Sequence, residues 1–169
     1  MQKIFIKILL CWLFFSTFVI ALLNKGNQVG FAKIIMACGL VLFWVVICGG
    51  VMYKFRENFK AVFQKIPLGL GKKFFIFTVL LAMLEELIAT AMTNTAPLFG
   101  LSLGQAYITA SSNFWQVILH HSVIVFLPAF LAWTFLVKRY NFSANQAFWL
   151  FGITGTLMEA LTFGPQKIF

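Results

Sequence analysis

Five apolar runs, each near the ~20 residues that cross a bilayer as a helix, limit what this chain can fold into. They cover residues 4–23, 31–53, 74–93, 114–136 and 147–164. A bilayer interior offers no water to backbone N–H and C=O groups, so runs of this length fold as helices that satisfy their own hydrogen bonds. The expected class is all-α: one transmembrane domain over residues 1–169, a polytopic bundle of about five transmembrane helices. Composition agrees. With 62% hydrophobic residues, 10% charged and a mean hydropathy of +0.95, a soluble domain of this size could not hide its apolar surface.

The net charge of +9 is spread in a way that speaks against nucleic acid and for lipid. Lys54, Arg56, Lys60, Lys65, Lys72 and Lys73 crowd the segment between the second and third runs against a single acid, Glu57, and Lys138 and Arg139 follow the fourth run. The connection from Asn94 to Asn113 carries no charge at all. By the positive-inside rule the amino terminus and both basic loops are cytoplasmic, the uncharged loop is outside, and the carboxy terminus is outside. The bases there meet anionic headgroups. The expected location is integral to a prokaryotic plasma membrane. Although the first run follows Lys3 and Lys7, its end, "STFVIALLNKG", offers no small-x-small cleavage site, so it reads as an uncleaved span. Cys11, Cys38 and Cys48 are odd in number and lie inside apolar runs without Cys-x-x-Cys spacing, which fits packing better than disulfides or zinc.

Segment 54–66, "KFRENFKAVFQKI", alternates on a helical period. Phe55, Phe59, Val62, Phe63 and Ile66 share one side, while Arg56, Glu57, Lys60, Gln64 and Lys65 lie elsewhere around it. This is the pattern of a cytoplasmic interfacial amphipathic helix, ended by Pro67.

Ionisable residues within the apolar runs point to function. The chain has four acids, all Glu, and three of them, Glu85, Glu86 and Glu159, lie in apolar stretches, as do both histidines, His120 and His121. A charge at membrane depth costs about 2.5–3.5 kcal/mol on insertion scales, so such residues face protein or a wet cavity and mark sites. At 1.5 Å per residue, Glu86 lies roughly 12 Å below the outer end of its span, the histidines about 9–11 Å and Glu159 about 6–8 Å. All five are thus expected in one outer-leaflet layer. Each span adds polar neighbours on the same side: Glu86 with Thr90, Thr93 and Asn94; His120 with Asn113 and Gln116; Glu159 with Gly152, Gly155, Thr156 and Thr162. The polar, uncharged connection between spans three and four is long enough to fold back over this layer.

Carboxylate and imidazole together suit a divalent metal such as zinc or manganese, with His120, His121 and Glu159 as ligands and a Glu left to activate water. They equally suit metal-free acid–base chemistry centred on Glu86 with Glu85 as its partner, or the carriage of protons or small cations. Glu–His hydrogen bonds that merely tie helices together are the structural alternative, although adjacent carboxylates such as Glu85 and Glu86 are expensive as structure alone. No phosphate-cradling loop, serine elbow or His-Glu-x-x-His occurs.

A Glu-Glu pair on one membrane helix followed by histidine on the next resembles the CAAX-prenyl-protease and bacteriocin-processing family of intramembrane proteases. The resemblance implies an intramembrane peptidase in which Glu85 and Glu86, with His120 or His121, activate water for peptide cleavage. It covers about 40 residues. Thr90 stands where the family has Arg, Gln116 or Val117 where it has Phe, and Glu159 occupies the helix where a His-x-x-x-Asn would follow. The stop at "FGPQKIF", close behind Glu159, leads us to expect that later helices lie beyond this sequence.

Overall fold

A computed structural model of the chain describes residues 2–163, with side chains described for 4–160. Every regular element among the described residues is helical. Helix α1 spans Gln2–Leu23 and α2 Gln28–Leu40, continued by a π-helical segment, Val41–Cys48, and by α3, Gly49–Lys54. Helix α4 is Arg56–Lys65 and α5 Leu70–Thr93, followed by a 3-10 turn at Ala96–Phe99. Then come α6 (Phe114–His120), α7 (Ser122–Arg139) and α8 (Ala144–Phe163). Among the described residues, four helical stretches are long and apolar enough to cross a membrane: Ile4–Leu23, Gln28–Lys54, Leu70–Phe99 and Ser122–Arg139. The 20-residue α8 is not among them; Asn145, Gln146, Thr154, Thr156 and Glu159 dilute its apolar character. Residues 164–169, which hold the end of the fifth expected run and most of "FGPQKIF", lie outside the described residues, as does the side chain of Thr162.

The helix ends follow from local chemistry. Asn27 caps α2 by accepting from the Gly30 N–H at 3.0 Å, and Asn113 caps α6 by accepting from the Gln116 N–H at 3.2 Å. Helix α4 carries Glu57 in its first turn and Lys65 in its last, each matched to the helix dipole. It stops at Ile66, which the following Pro67 holds in an extended conformation. The expected fourth span is not one helix. It breaks at His121, whose backbone (φ −129°, ψ −81°) leaves the helical region, so that α6 and α7 are separate pieces.

Helix α5 is the hub, packing on α2, α6 and α7. Small residues let it come close: a Cβ at Gly39 of α2 would stand 2.5 Å from Met92 Sδ, and one at Gly71 of α5 would stand 3.2 Å from Thr134 Cγ2 of α7. The second contact puts the start of α5 beside the end of α7, so the two run antiparallel. Helix α8 attaches through aromatic side chains. Phe151 stacks on Phe74 of α5 at 5.9 Å and meets Trp133 of α7 at 5.1 Å, and Trp149 meets Phe5 of α1 at 4.8 Å.

The best-buried cluster lies at the carboxy-terminal end of α5. Ala32 and Met36 of α2 close against Ala96, Leu101 and Ala106 of the connection between α5 and α6, with Val29, Met92, Phe99 and Ile108 around them. Gln28 Nε2 donates to the Phe99 carbonyl at 2.6 Å and fixes the same contact from the side. The uncharged connection therefore packs down onto the bundle.

Candidate functional site

Three helices and the π-helical segment wall a cavity of about 310 Å³. Helix α5 contributes Thr78, Leu81, Ala82, Glu85 and Glu86, which share one side at helical spacing. Helix α7 contributes Ser122, Val123, Phe126, Phe130 and Trp133, and α8 contributes Gly155, Met158 and Glu159. Trp44 of the π-helical segment completes the wall. Wide π turns shift the side on which following residues emerge, and they recur at functional sites.

The three carboxylates of the apolar runs are thus gathered in one place. Because α8 runs parallel to α5, its Glu159 arrives at the level of Glu85 and Glu86. Gly155 adds no side chain to the wall beside Glu159. Among the described side chains, no Lys or Arg lines this cavity. Its far end is aromatic, where Trp133 Nε1 donates to Thr154 Oγ1 at 3.0 Å and that hydroxyl in turn donates to the Leu150 carbonyl at 2.6 Å. Ser122, only 8% exposed, also faces the cavity and makes no hydrogen bond among the described residues. Its hydroxyl is thus open to the cavity, where it can donate to or accept from whatever the cavity holds.

The histidines stand apart. His120, exposed, ends α6, and His121, half-buried, forms the break before α7, its backbone N–H donating to the Val117 carbonyl at 3.1 Å; neither lines the cavity, and neither side chain makes a hydrogen bond among the described residues. No group of three or more His, Cys, Asp or Glu side chains converges as metal ligands among the described residues. The polar groups that line the cavity are carboxylates, hydroxyls and an indole N–H.

The polar stripe of α5 has a partner of its own. Thr109 Oγ1 donates to Glu86 Oε2 at 2.9 Å, the Ile108 N–H donates to Thr93 Oγ1 at 3.3 Å, and Asn94 Nδ2 donates to the Ser112 carbonyl at 3.2 Å. The connection between α5 and α6 is laid along the stripe one hydrogen bond after another. Thr90, between these contacts, is buried and its Oγ1 has no hydrogen-bond partner. Asn113 and Gln116 serve the start of α6, with Gln116 Oε1 also accepting from Ser111 Oγ at 2.7 Å. Thr156 donates to the Gly152 carbonyl of its own helix at 2.8 Å and does not line the cavity.

Trp44, Thr78, Thr109 and Ser122 join the site without having been singled out in the sequence. Ser122 directly follows the His-His pair, and Thr78 lies two turns before Glu85 on the same side of α5, so helical spacing from the acids would have found Thr78. Thr109 sits in a loop with no period to read. Compared with known proteins, the chain matches no family model, no curated sequence and no solved structure.

Proposed function

We propose that this chain is a multi-pass membrane protein of about five spans, with its amino terminus cytoplasmic and α4 at the cytoplasmic interface, whose carboxylate cavity takes up a proton or small cation and passes it on, as a carrier or a channel component. One observation carries this reading: three of the chain's four acids line a single cavity, together with the hydroxyl of Ser122 and, among the described side chains, no basic residue. Negative charges sharing a cavity away from water repel one another strongly. A bound proton or cation relieves that repulsion, and the hydroxyls of Ser122 and Thr78 can complete its shell. The test is flux into liposomes holding the purified chain, under proton, sodium or potassium gradients. Glu85→Gln and Glu159→Gln should each lower flux at least about tenfold, equivalent to roughly 1.4 kcal/mol. His120→Ala combined with His121→Ala should change it by less than about twofold, equivalent to roughly 0.4 kcal/mol. Flux absent under every gradient, or indifferent to the carboxylates, overturns the reading.

A second reading, an intramembrane hydrolase, draws on the Thr109 contact. A hydroxyl that orients Glu86 beside Glu85 is an arrangement for a general base acting on water, and it agrees with the resemblance to the CAAX-prenyl-protease and bacteriocin-processing family. It expects peptide cleavage abolished by Glu86→Gln. Cleavage without cation flux would decide for it.

A further inference from the structure

We propose that a groove between α4 and α5, separate from the carboxylate cavity, seats one anionic phospholipid. The groove measures about 460 Å³, within the roughly 300–1,000 Å³ of small-molecule sites. Its floor and walls are apolar: Phe59 and Phe63 from α4, and Phe77, Leu80 and Leu84 from α5. Its rim carries Arg56 and Lys60, one helical turn apart on α4. That combination, an apolar trough opening at two bases, matches a molecule with acyl chains and a negative headgroup.

The groove is held in shape without a ligand. Phe63 meets Phe77 edge-on at 5.1 Å, Lys73 Nζ donates to the Gln64 carbonyl at 3.2 Å, and the same ammonium lies 5.4 Å from the Phe63 ring centre. These contacts pin the end of α4 to the start of α5 and fix the closed end of the trough. Arg56 and Lys60 share a single acid, Glu57, at 3.5 and 3.7 Å, and their side chains stay 61% and 66% exposed. One acid against two bases leaves a positive rim, and Lys65 of the same helix and Lys54 at the end of α3 add to the positive charge of this segment. Leu81 lines both this groove and the carboxylate cavity, so a lipid chain lying here packs on the wall between them.

The test is native mass spectrometry of the full chain in detergent, titrated with phosphatidylglycerol and with phosphatidylcholine of identical acyl chains. A base at the headgroups contributes about fivefold in membrane affinity, and with Glu57 offsetting part of the pair the expected preference for phosphatidylglycerol is roughly tenfold. Arg56→Gln with Lys60→Gln should erase that preference while leaving phosphatidylcholine retention unchanged. Leu80→Trp, which fills the trough, should reduce retention of both lipids, and Lys25→Gln, in the loop between α1 and α2, should alter neither. The bases are exposed, so the charge variant decides even where Leu80→Trp fails to fold. Equal retention of the two lipids by the unaltered chain, a preference that survives loss of both bases, or a dimer that Leu80→Trp dissociates each overturns the proposal.

Discussion

Two stretches of α5 do opposite things with similar residues. In its last turns Thr93 and Asn94, with Ala89 and Thr90 closing in beside them, receive the connection to α6, and almost every polar group there finds a partner within the chain. Nearer its middle Thr78, Ala82 and Glu85 face a cavity, across from Ser122, whose hydroxyl makes no hydrogen bond among the described residues. Glu86 stands on the border, bonded to Thr109 yet lining the cavity. Polar residues in a membrane helix thus divide into those spent on holding the fold and those left open for a ligand. Direction around the helix does not separate the two, since Ala89 and Thr93 share a face with Ala82 and Glu86; position along it does.

If the division is real, damage to the packed stretch costs stability and spares transport. Met36, 1% exposed at the heart of the cluster at the end of α5, is the strongest probe. Met36→Ala should destabilise the chain by about 2–5 kcal/mol, because the cavity it leaves is lined by Ala32, Ala96 and Ala106, too short to fill it. Unfolding in mixed micelles measures the loss, and flux per folded molecule should stay within about twofold, equivalent to roughly 0.4 kcal/mol. A flux that collapses while the protein remains folded would join the two stretches into one device.

The border residue gives the next largest effect. Thr109→Val removes the hydroxyl that Glu86 accepts from and should cost about 1 kcal/mol, within the range measured for hydrogen bonds inside membrane bundles. It should also make the 94–113 connection easier to cleave by added protease, since Thr109 is one of its few ties to the helix. Combining it with Glu86→Gln should cost little more than Glu86→Gln alone, because both changes strike the same bond. Strict additivity would mean that Glu86 is held by something else.

Much of this division was out of reach of the sequence, for physical reasons. Run lengths and the 1.5 Å rise placed Glu85, Glu86 and Glu159 at comparable depth, and the structure brings all three to one cavity. The periodic bases and phenylalanines of 54–66 marked α4, found at Arg56–Lys65. The histidines were assigned the same depth on the assumption of an unbroken fourth span. The break at His121 resets the direction in which the following residues emerge, and periodicity cannot register a break that no Gly or Pro announces. Trp44 escaped because a π turn does not keep the 3.6 period by which faces are read. The stripe of Glu86, Thr90, Thr93 and Asn94 was legible as a stripe. Its partner was not, because residues 108–112 carry no pattern, only backbone groups and short hydroxyls that become ligands to the stripe once the loop is folded.

Thr90 offers the finest test of the contrast. It lies one turn from Glu86 in the packed stretch, buried, with an orphaned Oγ1. Were that stretch wholly structural, the hydroxyl would be a small liability: valine has nearly the same shape and carries no polar group to leave unpaired. Thr90→Val should then raise stability by roughly 0.5–1 kcal/mol, a fraction of the full cost of an unsatisfied buried hydroxyl because the chain unfolded in detergent also leaves it partly unsolvated. Flux should not change. A loss of flux with stability raised would instead show that the hydroxyl belongs with Glu86 and Ser122, and that the open stretch of α5 extends one turn further along the helix than the cavity wall.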